Sequence, residues 1–225
     1  MSSAATLFVV GTPIGNLSDI SERALQTLRE VDFIACEDKR VSTKLLQRYE
    51  ITTPLLTYFQ HSGRIQVERI ILRLTNGESA ALITDAGTPG ISDPGGKLVA
   101  AAVAADINVV GIPGPSAATL ALSISGLPTD EYVFYGFLPH KKGRQTKLKE
   151  IISSQRTAVL YESVHRIEKL LNELIEFGAG DRAIVVGREL TKQFESVYRG
   201  SAVLILEKLQ ADKVKGEFVL VIAAA

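Results

Sequence analysis

Tryptophan is absent from this chain of 225 residues, cysteine occurs once, histidine three times, and aromatic residues make up only 6%. A lone thiol excludes an internal disulfide framework, and Cys36, set in the apolar run Asp32-Phe-Ile-Ala-Cys36, reads as a buried core residue. No two of the histidines His61, His140 and His165 stand at metal-ligand spacing, and one cysteine cannot build a zinc site with them, so no metal is expected. Excess charge is missing too. Lys+Arg and Asp+Glu both total 25, so no global field draws the chain to nucleic acid or to a membrane, and any polyanion contact must come from a local patch. No apolar run reaches transmembrane length and the N-terminus lacks a charged signal-peptide start. A cytoplasmic protein without a membrane partner is the expectation. Internal repeats and low-complexity tracts are lacking as well.

What the chain does have is a 46% hydrophobic content, enough for one large α/β domain or two small ones. Its most telling stretch is Asp85-Ala-Gly-Thr-Pro-Gly-Ile-Ser-Asp-Pro-Gly95, directly behind the apolar run Ser79-Ala-Ala-Leu-Ile-Thr84. Three glycines and two prolines in eleven residues can neither continue a strand nor begin a regular helix. Two more β-rich runs end the same way. Thr6-Leu-Phe-Val-Val10 enters Gly11-Thr-Pro-Ile-Gly-Asn16, and Ile107-Asn-Val-Val110 enters Gly111-Ile-Pro-Gly-Pro-Ser-Ala117. A single Gly/Pro turn after a strand is punctuation. Three of them, each followed by a helical pattern, point to one lined cleft at the carboxyl ends of strands, where open α/β sheets bind ligands.

The remaining pattern alternates strands and helices, which argues for mostly parallel sheets. Strands are expected at 6–10, 32–36, 54–58, 79–84 and 107–112, with helices near 20–30, 40–49, 64–75 and 95–105. Asp19 followed by Glu22 resembles a capping box for the first helix. After a small-residue helix from Ala117 to Ser125, strands are expected at 131–137, 156–161, 182–188, 194–199 and 216–223, and helices near 144–153, 164–176 and 201–209. The proximity of 182–188 and 194–199 suggests antiparallel pairing and a mixed second sheet. The domains divide as 1–114 and 115–225.

Charged residues cluster at several strand ends. Glu37-Asp38-Lys39-Arg40 follows the second strand, and reads either as a solvated helix start or as a substrate-facing group. His61 and His165 each stand just past a strand. Lys141-Lys-Gly-Arg144 with Lys147 and Lys149 has no compensating acid before Glu150. A basic helix start conflicts with the positive end of the helix dipole, so either a solvated face or a phosphate contact is open. Arg188-Glu-Leu-Thr-Lys192 adds charge between two strands.

In order, Gly11-Thr-Pro-Ile-Gly-Asn-Leu17, Glu37-Asp-Lys-Arg40, Thr84-Asp-Ala-Gly-Thr-Pro-Gly90, Ile112-Pro-Gly-Pro-Ser116, Tyr161-Glu-Ser-Val-His-Arg166 and Arg188-Glu-Leu-Thr-Lys192 resemble the tetrapyrrole methylase superfamily. Within it they look like the branch that 2′-O-methylates cytidine in 16S ribosomal RNA. The resemblance covers residues 6 to about 222, and its combination of motifs is specific where no single motif is. It implies a two-domain α/β fold with a mostly parallel N-terminal sheet and a mixed C-terminal sheet. The N-terminal domain would face the acceptor, and S-adenosylmethionine would lie in the cleft between the domains of a homodimer.

By position, the cofactor contacts implied are Ile14, Asp85, Gly87, Thr88, Pro113, Ser116, Ala117, Tyr161 and Glu162, with Gly216-Glu-Phe218 near the adenine side. Asp38, His165 or Glu189 would accept the hydroxyl proton, and Lys39, Arg40, His61, Arg166 and Lys192 would face the RNA of the small subunit. Two departures stand out. Gln60 and Ser62 flank His61 where the family carries an acid or Asn and Asn, and members usually continue into a helical tail beyond the point where this sequence stops, at Ala225. C-methylation of a tetrapyrrole is the rival activity, which the scarcity of aromatics for an acceptor pocket disfavours. A non-catalytic ribosome-assembly factor is the rival outside enzymology.

Overall fold

In the computed structural model, which describes residues 5–58, 64–211 and 215–225, the chain packs as two units, Met1–Ser116 and Ala117–Ala225. His61 lies outside the described residues. The apolar runs of unit 1 form β1 (Thr6–Val10), β2 (Phe33–Cys36), β3 (Leu55–Thr57), β4 (Ala80–Ile83) and β5 (Asn108–Ile112). Between them lie α1 (Glu22–Glu30), α2 (Lys39–Arg48), α3 (Arg64–Thr75) and α4 (Gly96–Ala104). The sheet order is β3-β2-β4-β1-β5 and every pairing is parallel.

Strand alternation sorts the core into two layers. Val10, Ile34, Cys36, Ala81 and Ile83 pack with Ala24 and Leu28 of α1 and Leu45 and Leu46 of α2. Leu7, Phe33, Ala35, Ala80 and Leu82 pack with Ile70 and Leu74 of α3 and Leu98 and Ala102 of α4. With helices on both faces and all strands parallel, the carboxyl ends share one edge. That edge carries the loops 11–16, 84–95 and 113–116, together with Glu37 and Asp38.

One helix start departs from expectation. Ser21, not Asp19, caps α1, its hydroxyl accepting the Ala24 N–H at 3.1 Å. Asp19 is taken up by a 3-10 turn, Leu17–Asp19, that Asn16 caps through the Ser18 N–H, and Ile20 remains extended. The helix therefore has its own capping hydroxyl one residue before Glu22.

Unit 2 contains α5 (Ala117–Ser125), β6 (Tyr132–Phe137), α6 (Arg144–Ser153), β7 (Thr157–Ser163) and α7 (Ile167–Leu174). Then follow β8 (Ile184–Arg188), β9 (Ser196–Gly200), α8 (Ala202–Ala211) and β10 (Glu217–Ile222). The sheet is mixed, in the order β6-β7-β10-β8-β9: β6 and β7 are parallel, the other neighbours antiparallel. Helix α5 covers one face, against Val159, Val185, Val219 and Val221. Helices α6, α7 and α8 cover the other, against Ala158, Leu160, Ile184, Val186, Leu220 and Ile222.

β7 runs two residues further than the sequence pattern indicates, so Glu162 is a strand residue on the side covered by α6 and α7. Its side chain is 0% exposed and that of Arg144 only 3%, and their charged ends lie 3.4 Å apart. Arg166 binds the other oxygen of Glu162 at 2.7 Å, and Glu173 binds Arg144 at 2.7 Å. The helix expected from 164 begins only at Ile167, because Ser163–Arg166 form a turn whose Arg166 side chain returns to Glu162 and to the Leu138 carbonyl at 3.0 Å. Buried ion pairs cost desolvation, so removing one partner leaves an uncompensated charge. Glu162→Leu is therefore expected to destabilise the protein by about 3–5 kcal/mol in urea denaturation. A loss below ~1 kcal/mol would show that water, not Glu162, satisfies the two guanidinium groups.

Candidate functional site

The loops after β1 and β5 touch through bare backbone. A Cβ placed on Gly11 would lie 2.8 Å from Gly114 Cα, and one on Gly114 would lie 2.7 Å from the Gly11 carbonyl. No side chain fits there, and the Gly11 N–H also donates to the Ile112 carbonyl at 3.0 Å. Thr12 joins the third loop. Its N–H donates to the Gly87 carbonyl at 2.9 Å, the Gly87 N–H returns to the Thr12 carbonyl at 3.1 Å, and the buried Thr12 hydroxyl reaches the Thr84 carbonyl at 3.1 Å. Gly87 needs its left-handed φ of +79° for this bridge, a conformation costly for a residue with a side chain. Ile14 is buried and lies 3.6 Å from the position a Gly87 Cβ would take.

The structure thus brings Ile14, Asp85, Gly87, Thr88, Pro113 and Ser116 onto three interlocked loops at one sheet edge. A surface of peptide groups with few side chains suits close approach by a flat, polar small molecule. Gly11→Ala or Gly114→Ala is expected to force these loops apart and to lower Tm, by about 1–3 kcal/mol of stability. Thermal denaturation checks it, and wild-type melting would show that the contact can open freely.

Three carboxylates gather at the ends of β2 and β4. The Asp38 N–H donates to Asp85 Oδ1 at 3.1 Å, and Glu37 accepts from the Asp85 backbone N–H. Burial first, then the charge of Asp85, raises Glu37; burial first, with the Asp38 charge adding, raises Asp85. Asp38 behaves oppositely. Its side chain caps α2 through the Arg40 N–H at 2.8 Å and grips the Arg40 guanidinium at 2.6 Å, which holds its pKa down at about 2. A carboxylate so held is a weak proton acceptor. Lys39 and Arg40 form the exposed first turn of α2, with Arg40 turned back onto Asp38.

Raised acids favour their neutral forms in the fold, so the stability they give is complete below the ordinary carboxylate range and lost as pH rises through their folded values. Asp38, being lowered, gives stability above that range that is lost as pH falls toward about 2. Asp85→Asn is accordingly expected to raise Tm at about pH 7 and to give no gain at about pH 3. A gain at neither pH, or an equal gain at both, would contradict this charge balance.

A family model described as Tetrapyrrole (Corrin/Porphyrin) Methylases matches residues 6–203. The chain belongs to that family. Its relatives include a protein of Synechocystis sp., 46% identical over 220 residues, covering 97% of this chain and 79% of that one. Another, from Pseudomonas aeruginosa, is 50% identical over 196 residues, covering 87% of this chain and 70% of that one. Both are named ribosomal RNA small subunit methyltransferase I. Among solved structures, diphthine synthase superposes with a TM-score of 0.72 at 17% identity, covering 97% of this chain and 90% of that one. A cobalt precorrin-4 methyltransferase of cobalamin biosynthesis gives 0.71 at 16% identity, covering 99% and 96%. At such identities the likeness establishes the tetrapyrrole-methylase fold alone.

In unit 2 the predicted residues separate by strand alternation. Tyr161 faces the α5 side and packs edge-on against Phe134, with ring centroids 5.1 Å apart. Glu162, its neighbour, points to the opposite face, where its carboxylate is ion-paired with Arg144 and Arg166. Ala117 opens α5, and His165 is exposed in the turn after β7.

Glu189 has a left-handed φ of +51°, and its Oε1 accepts from Lys192 Nζ at 2.9 Å and from the Glu217 N–H at 2.9 Å. Burial raises its pKa, but these hydrogen bonds outweigh that and hold it below the usual value. Gly216 makes room for it, because any Cβ there would overlap the Glu189 side chain. Sequence reasoning missed Thr12 and Gly114 as site-shaping residues, and it placed Gly216 near the adenine without the role of leaving room for Glu189. For Thr12 and Gly114 the available signal was their place inside the Gly/Pro motifs.

Proposed function

We propose that this protein transfers a methyl group from S-adenosylmethionine to the ribose 2′-hydroxyl of a cytidine in 16S RNA of the small ribosomal subunit. The observation that carries the reading is the similarity, at 43–50% identity over 87–97% of this chain, to proteins named ribosomal RNA small subunit methyltransferase I. Bound S-adenosylmethionine supplies a methyl on a sulfonium, so that an O–CH3 bond forms as the S–CH3 bond breaks and a neutral thioether leaves. The residues present fit such a ligand: the Gly11–Gly114 contact presents backbone where a Cβ would intrude, and Asp85 offers a carboxylate for an ammonium or hydroxyl group. Ile14, Gly87, Thr88, Pro113 and Ser116 would hold the cofactor beside it. A bound cationic group would also relieve the repulsion among Glu37, Asp38 and Asp85.

For the proton of the 2′-hydroxyl, Asp38 is committed to Arg40 and Glu189 to Lys192. His165 has no ion-pair or hydrogen-bond partner among the described residues, and an imidazole is suited to accept a proton. We therefore assign it that role, with Arg166 holding the turn that carries His165; Arg40 and Lys192, each held by a carboxylate, would orient phosphate only through their remaining N–H donors. The same reading carries a homodimer acting in the cytoplasm.

Labelled methyl transfer to small subunits lacking ribose methylation, followed by mass-spectrometric mapping, tests the reading. One 2′-O-methylated cytidine is expected. Binding of S-adenosylmethionine without transfer to the subunit would overturn it and favour a tetrapyrrole acceptor. His165→Ala is expected to lower kcat on the order of a hundredfold or more with cofactor affinity unchanged, and an unchanged kcat would remove His165 from the chemistry.

A further inference from the structure

The basic run at 141–149 is sorted by the fold into inward and outward cations. Arg144 goes inward, where Arg144 and Arg166 meet Glu162 and Glu173, two positive charges against two negative. That buried cluster is neutral by itself. Lys147 is paired with Glu150 at 2.7 Å, and Lys149 sits 5.9 Å over the Phe177 ring. Lys141 and Lys142 are exposed and have no acid partner among the described residues. Lys169 reaches Glu173 only at 3.8 Å, and Glu173 is already committed to Arg144.

The surplus charge surrounds a concavity. A cavity of about 300 Å³ is lined by His140, Lys141, Gly143, Arg144, Lys169 and Glu173, together with the first residues of α6. Gly143 caps α6 with φ +86° and no side-chain hydrogen bond, so no side-chain acceptor occupies the positive end of that ten-residue helix. Arg144 is 3% exposed, and its Nη2, although 2.7 Å from Glu173, makes no aligned hydrogen bond. Lysines at the positive end of a helix dipole oppose each other and the dipole, an arrangement that an anion would relieve.

We propose that this cavity is a phosphate subsite for the acceptor RNA, in which Lys141, Lys169 and the N-terminus of α6 hold one backbone phosphodiester outside the cofactor loops. This rests on the ribosomal RNA reading above and adds to it a place where the RNA backbone is gripped without regard to sequence. The overall charge balance of zero makes a local grip of this kind necessary, since no global field draws the RNA in.

The test is equilibrium binding of Lys141→Gln/Lys169→Gln to unmethylated small subunits over a salt series, beside wild type. The affinity is expected to fall on the order of tenfold, with the slope of log K against log salt shallower by about 1.5. Affinity for S-adenosylmethionine and kcat at saturating subunit should not change, and Lys141→Arg/Lys169→Arg should restore binding. Both lysines are exposed, so the fold should tolerate the change. An unchanged affinity and salt slope in a protein whose wild type methylates subunits would overturn the subsite alone. A wild type that neither binds nor methylates subunits would overturn the ribosomal RNA reading and the subsite with it.

Discussion

The backbone contact between Gly11 and Gly114 is the constraint on which unit 1 depends. Parallel strands bring the loops after β1 and β5 side by side, and only two residues without side chains let the chains pass at that distance. Thr12 then ties the pair to the loop after β4 by a reciprocal bridge with Gly87. Three loops that are far apart in sequence become one rigid surface, rich in peptide groups and poor in side chains. That is the form of site that can grip a small molecule closely, since a backbone N–H or carbonyl is placed by the sheet and does not depend on a rotamer.

The two units treat charge differently, and the difference sorts structural from chemical roles. At the edge of unit 1 three carboxylates crowd together with one nearby guanidinium, and two of them are raised in pKa. In unit 2 the buried Glu162 is flanked by Arg144 and Arg166, and Glu173 brings the cluster to neutrality. A balanced buried cluster fixes a turn, as it does for Ser163–Arg166. An unbalanced one at a sheet edge stores repulsion that a nearby cation would relieve. Glu189 belongs with the balanced kind. Its left-handed backbone is held by Lys192 and the Glu217 N–H, in a space that Gly216 leaves open.

The fold alone does not identify the acceptor. Chains under 20% identical to this one share its fold while their names refer to corrin chemistry or to diphthine. Outside the three Gly/Pro loops this chain carries the cationic groups Arg40, Lys192 and the lysines around α6. The scarcity of aromatics agrees with an acceptor held by its phosphates more than by stacking.

The Gly/Pro loops, the alternation of strands and helices, and the mixed second sheet were legible because each rests on local rules. Glycine and proline break regular structure where they stand, and an apolar strand must be buried wherever it lies. The ordered motifs carried the family for the same reason. What only the tertiary structure decided was partnership. That Ser21 and not Asp19 caps α1 turned on a local 3-10 turn, but that Glu162 faces Arg144 and away from Tyr161 depended on where β7 ends. That Asp38 is spent on Arg40, and that Lys141 and Lys169 meet at one cavity, depended on side chains finding each other across turns and across separate helices. Sequence spacing sets which residue types are available. The distances that decide whether a charge is paired or free exist only once the helices have packed.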